Sequence, residues 1–251
     1  MQFYHPGGDP EMYQYADKVI RGTPREDSLV ILQFLRGMIG RKFSFLNYYK
    51  EIPVSYDATL LSVENEMAEF ELHEYQAKVI SLERKTLVRS HKESPFREDL
   101  MGEAFYINAQ KKRVVLCKFE YARIRSEMRR FVRVQLDRPI ESDIYADTRN
   151  NDCAVANVRD ISLGGALVTL LSDVKLVPGM EIDIVLKLPN LANGTVTAVS
   201  VRSTVIKVLN DGGAGSCILE FNPEKLSQQL ISYYINQRQV EIIKELKELI
   251  V

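Results

Sequence analysis

Three arginines crowd into five positions, Arg129, Arg130 and Arg133, of a 251-residue chain whose formal net charge is −1. The planar fork of arginine matches phosphate oxygens and the O6/N7 edge of guanine, and its flat face stacks on a purine. Arg129 and Arg133 are four residues apart, which places them on one side of either a helix or a strand. Arg130 points away from that pair in an extended chain and ranks below them as a contact. A second group follows after 26 intervening residues: Asp160-Ile161-Ser162-Leu163-Gly164-Gly165. In an extended segment Asp160 and Ser162 project to one face, and Gly164-Gly165 permit a tight turn beside them. A carboxylate there accepts from N1 and N2 of guanine, and a hydroxyl bonds phosphate or base. Singly, each motif has a plain structural reading, an Arg-rich solvated joint and a β-turn. Both motifs brought to one mouth of a barrel would form a site for a phosphorylated guanine ligand.

Other chemistries find little support. His5, His73 and His91 belong to no metal or triad spacing, so they read as surface or packing residues. Cys117, Cys153 and Cys217 are scattered, odd in number and without CxxC spacing, which suggests neither a disulfide framework nor a zinc site. No Gly-x-x-x-x-Gly-Lys phosphate loop occurs, and the glycines of "NDGGAGS" suit a hairpin turn. The expectation is no enzymatic activity, no catalytic residue, no metal and no cofactor. The balanced charge also argues against broad electrostatic nucleic-acid binding. A nucleic-acid-binding regulator working through the Arg-rich stretch is the alternative, as is a ligand-independent protein-protein scaffold.

The elements that must position these groups follow from hydrophobic periodicity. "MQFYHPGGDP" opens the chain as a loose arm without the pattern of a secretory signal, and no apolar run approaches the roughly 20 residues that span a bilayer. The cytoplasm, without membrane insertion, is the expected compartment. A helix is predicted after a cap at Asp27 or Ser28, with Leu29, Leu32, Leu35 and Ile39 on its packing stripe. From Arg41 to Phe119 six short alternating stretches read as antiparallel strands, with a turn at Asn108–Lys112 and a solvent-exposed loop at His91–Asp99.

The Glu120–Arg130 segment lacks a core-like run and reads as an interdomain joint. Beyond it lie seven strand-like stretches: "FVRVQL", "DIYAD", "AVANVRDIS", "ALVTLL", "EIDIVLKL", "TAVSVRSTVIKVL" and "SCILEF". With turns at "TRNND" and Asn193-Gly194, they suggest a closed or nearly closed barrel. A final helix is predicted over about 224–249. Its apolar stripe of Ile231, Ile235, Ile242, Leu246 and Leu249 is interrupted by Arg238.

Arg-x-x-x-Arg, then 20 to 30 residues, then Asp/Asn-x-Ser-x-x-Gly resembles the signature of PilZ domains, which bind the bacterial second messenger cyclic di-GMP. Every named position is matched, although Met128 stands where many members have a basic residue before the first arginine. The first domain is similar to the split barrel of YcgR-type flagellar-brake proteins, through "ATLLSV", "HEYQAKVI" and the "GEAFYINAQKKRVVLCKF" hairpin. The resemblance implies a mainly β protein of two small antiparallel β-barrel domains with a C-terminal α-helix. Residues 1–122 would be the YcgR-like split-barrel domain with its helix, and residues 123–251 the PilZ domain with the arginine linker. It further implies a cyclic di-GMP site at Arg129, Arg130, Arg133, Asp160, Ser162, Gly164 and Gly165. Flagellar motor components are then one candidate for a protein partner, and a homodimer through the C-terminal helix is a candidate assembly.

Overall fold

The computed structural model describes residues 15–20, 22–90, 96–124, 130–146, 153–172, 174–209 and 215–249. The opening arm, the "TRNND" turn, most of the "NDGGAGS" turn, His5, His91 and Arg129 lie outside them. The chain divides into two compact units. One is built on Arg130–Ile243 and includes the turn Lys50–Ile52; the other centres on Pro53–Arg129.

The amino-terminal unit begins with β1 (Tyr15–Lys18) and α1 (Pro24–Arg36), followed by β2 (Lys42–Tyr49), β3 (Ile52–Glu64) and β4 (Met67–Glu71). After α2 (Glu74–Glu83) come β5 (Lys85–Val88), β6 (Asp99–Asn108) and β7 (Arg113–Ile124). The sheet order is β1-β7-β4-β3-β2-β5-β6, and pairing of β6 with β7 closes six of these strands into an antiparallel barrel. Alternation drives Phe43, Phe45, Leu60, Phe70, Leu116 and Phe119 inward. Phe70 there meets Phe45 and Phe43 edge-on at centroid distances of 5.0 and 6.0 Å.

Several expectations change here. The cap of α1 is Thr23, whose hydroxyl accepts from Glu26 N while the Glu26 carboxylate accepts from Thr23 N. Pro24 follows at the first helical position, where its missing N–H does no harm. Asp27 is instead buried, and its carboxylate accepts from Ile20 N at 2.7 Å. The packing stripe is Ile31, Leu32 and Leu35, leaving Leu29 and Ile39 exposed. Phe96, expected in an exposed loop, is buried and meets Phe34 edge-on. The joint begins later than expected, because β7 continues to Ile124 with Tyr121, Ala122 and Ile124 buried.

Helix α2 has no counterpart among the expected elements. His73 caps it through Nδ1, which accepts from Tyr75 N, while its ring stacks on Tyr56 at 4.1 Å. A buried polar cluster fixes the helix to the barrel. Asn47 Oδ1 accepts from Gln76 Nε2 at 2.6 Å and from Thr86 Oγ1 at 2.7 Å. Its amide nitrogen donates to Glu83 Oε2 and to the Lys85 carbonyl.

The carboxy-terminal unit holds β8 (Arg133–Tyr145), β9 (Cys153–Ser162), β10 (Gly165–Leu170), β11 (Glu181–Pro189), β12 (Val196–Leu209) and β13 (Ser216–Asn222). They form a closed antiparallel barrel in the order β10-β13-β12-β11-β8-β9. Six strands replace the seven stretches expected, because "FVRVQL" and "DIYAD" belong to one long strand. Its pairing with β9 is interrupted between Gln135 and Ile140. Pro139 sits in that interruption; it offers no N–H to a ladder.

Helix α3 (Lys225–Glu248) follows. Ile231, Ile235, Ile242 and Leu246 are buried, while Leu249 beyond its end is exposed. Arg238 is also buried, being only 7% exposed. It donates to Asp137, to Glu241 and to the Gln135 carbonyl, so the charge in the apolar stripe is held by the unpaired stretch of β8. Among the described residues, no helix is long and apolar enough to cross a membrane.

Candidate functional site

Strand alternation decides where the motif residues go. In β8 and β9, Arg133 lies directly opposite Ser162, Val134 opposite Ile161, and Gln135 opposite Asp160. Directly opposed residues share a face. Val134 and Ile161 are fully buried, so their neighbours Arg133, Gln135, Asp160 and Ser162 stand together on the outside of the barrel.

A bulge makes this possible. β9 pairs with β10 as Asp160 with Leu167 and Val158 with Val168, leaving Arg159 as the extra residue. Val158 points into the core, and the inserted residue shifts the alternation so that Asp160 and Ser162 face outward. Arg159 is exposed as well, its Nε donating to Thr169 Oγ1 at 3.3 Å, along the strand away from Ser162.

The arginine and aspartate motifs therefore meet on the outward-facing side of the strand ends, where Arg133 opens β8 and Ser162 closes β9. Arg133 Nε is 3.5 Å from Asp160 Oδ1, with side chains 29% and 13% exposed. This partial burial strengthens their attraction relative to a fully solvated pair. The Ser162 hydroxyl, 9% exposed, donates to the Gly165 carbonyl at 3.2 Å and so braces the turn into β10. Arg130 is exposed with its guanidinium carbon 5.2 Å from the centroid of the Phe131 ring. Arg129, expected to converge with Arg133, lies outside the described residues.

The two glycines occupy distinct surroundings. A Cβ on Gly165 would fall 2.0 Å from the Leu219 carbonyl oxygen, because the glycine's backbone (φ +159°) would direct it at the neighbouring strand β13. A Cβ on Gly164 would fall 2.9 Å from Cδ2 of Phe131. Sequence reading passed over three neighbours: Gln135 and Leu167, which flank Asp160 on the adjacent strands, and Phe131. Period-two counting from Arg133 reaches Gln135; nothing local in the sequence pairs Leu167 or Gly164 with their partners.

Chemically, the face offers a guanidinium beside a carboxylate and a hydroxyl, with a turn adjoining whose two glycines lie against Phe131 and β13. Among the described residues, no group of three or more His, Cys, Asp and Glu side chains is arranged to hold a metal ion.

The carboxy-terminal unit is thus a small closed β-barrel with a polar cluster on its outer wall, led into by an arginine segment. Residues 127–237 match the family model of the PilZ domain. It is similar to the solved structure of the inhibitor of motility MotI/DgrA from Bacillus subtilis. That likeness has 15% identity and a TM-score of 0.42, and covers 81% of this chain and 97% of that one. It is also similar to YcgR in complex with c-di-GMP from Escherichia coli, at 13% identity over 99% of this chain and 100% of that one, TM-score 0.42. A third likeness is the K. pneumonia MrkH–c-di-GMP complex, at 12% identity over 92% and 99% of the two chains, TM-score 0.40. No curated protein matches the chain.

Proposed function

We propose that this protein is a cytoplasmic cyclic di-GMP receptor without catalytic activity, which regulates a protein partner in motility. The observation that carries the reading is the meeting of Arg133 with Asp160 and Ser162 on one face. Arg133, with Arg129, grips the phosphates and a guanine edge; Asp160 accepts from a guanine, and Ser162 bonds phosphate or base. Arg130 offers a stacking or phosphate contact, and Gly164-Gly165 form the turn beside the ligand. The domain that ends with β7 is the one that the ligand rearranges relative to the barrel of β8–β13. A swing from mostly one arrangement to mostly the other requires about 5.5 kcal/mol of preference from the ligand.

Titration calorimetry of cyclic di-GMP against the wild type, Arg129→Ala, Arg133→Ala and Asp160→Ala tests the site. The wild type is expected to bind near micromolar, about 8 kcal/mol in all. Each arginine variant should lose about 1–3 kcal/mol, roughly 5- to 150-fold in affinity. A wild type that gives neither heat nor a thermal shift overturns the reading. Asp160→Ala separates it from phosphate-driven nucleic-acid binding, which the loss of a carboxylate would leave intact.

A further inference from the structure

Of the two adjacent glycines, Gly165 is explained by its contact with β13, but Gly164 is not. Gly164 is absent from the residues with positive φ, so its backbone alone does not call for glycine. What excludes a side chain there is Phe131: an added Cβ would lie 2.9 Å from Cδ2 and 3.3 Å from Cε2 of the ring. The ring therefore rests directly on the turn that follows Ser162. Phe131 sits between Arg130 and Arg133, half-buried between the exposed residues Arg130 and Val132. Arg130 covers the same ring. The Gly164 carbonyl, for its part, accepts from Phe221 N at 3.0 Å, which ties the turn to β13.

We propose that Phe131 is a positioning residue: seated on Gly164, it fastens the arginine segment to the Asp160–Gly165 turn and presents Arg130 and Arg133 before ligand arrives. This rests on the ligand site proposed above. A tethered segment has less freedom to lose on binding, so the contact acts on affinity through preorganisation rather than by touching the ligand. An aromatic ring suits the task, since it buries a large area with few rotatable bonds.

Two measurements on the full chain test it. The first needs no ligand: amide hydrogen exchange at residues 131–134. Phe131→Ala and Gly164→Ala should each speed exchange there by roughly tenfold or more, and Phe131→Tyr should restore protection. The double variant Phe131→Ala/Gly164→Ala should be no faster than the faster single variant, because both remove one contact. The second is cyclic di-GMP titration. Phe131→Ala should weaken binding roughly tenfold with Arg133 and Asp160 intact, and Phe131→Tyr should recover it.

Wild-type exchange in Phe131→Ala overturns the tether, and wild-type affinity in that variant overturns its role in binding. Additive effects in the double variant also overturn the inference. If the wild type binds no cyclic di-GMP, the site reading fails while the exchange arm still decides the tether. If Gly164→Ala does not fold, Phe131→Ala with its Tyr rescue carries the decision.

Discussion

Gly165 and the carbonyl oxygen of Leu219 approach so closely across β10 and β13 that a methyl group on the glycine would lie 2.0 Å from that oxygen. The glycine at the end of the Asp-x-Ser motif is therefore required by the barrel itself. Gly165→Ala is expected to destabilise the protein by about 1–3 kcal/mol with or without ligand, as an overpacked contact does. Urea unfolding monitored by circular dichroism checks this, and an unchanged midpoint would contradict it.

Asn47 joins Gln76, Thr86, Glu83 and the Lys85 carbonyl, and is itself only 2% exposed. Replacing it with alanine strands several buried polar groups at once. Asn47→Ala should lower stability by about 2–3 kcal/mol. By comparison, Thr23→Ala at the α1 cap should cost about 1 kcal/mol. Thermal unfolding of both variants gives the ranking, and equal shifts would show that the cluster is not a connected unit.

Asp137 holds the buried Arg238 to β8. Burial alone would raise its carboxyl pKa, but hydrogen bonds from Lys50 and Arg238 outweigh that and hold it below the usual value. A lowered folded pKa means the pairing stabilises the fold above the unfolded value of 3.8 and is lost as pH falls through the lower, folded one. Unfolding midpoints measured from about pH 6 down to about pH 2 should fall less steeply for Asp137→Asn than for the wild type. Arg238→Ala should destabilise by about 1–2 kcal/mol at neutral pH, less than for a fully buried pair because Asp137 is half exposed. Parallel pH profiles would refute the assignment.

The cysteines should separate by reactivity. Cys153 is exposed, whereas burial pushes the Cys217 thiol up to about 11. Cys117 is also raised, by partial burial first and then by Glu103. Alkylation at neutral pH followed by peptide mass mapping should label Cys153 first and Cys217 only on unfolding. Early labelling of Cys217 would mean that the barrel opens locally.

Much of the fold was legible because strand alternation is a local signal. The inward residues of β9 as far as Val158 and of β10, and the strands around Phe45, Phe70 and Leu116, follow from counting by twos. Helix α2 was not legible: its cap is a histidine and its end an arginine in the left-handed region, neither a usual signal. The α1 stripe was misread by taking Leu29 and Ile39 as packing positions, where Ile31 does the packing. At the site, the shared face of Asp160 and Ser162 could be read from spacing. The outer-wall location could not, since it depends on the bulge at Arg159 and on the register between β8 and β9.

The separation of inward and outward residues along β8 and β9 has an evolutionary consequence. Val134, Val158 and Ile161 keep the barrel together, while Arg133 and Asp160 stand outward between them. Selection can thus act on the outward residues and on the core through different letters of the same two strands. A lineage can alter the outward set while the inward one goes on holding the barrel.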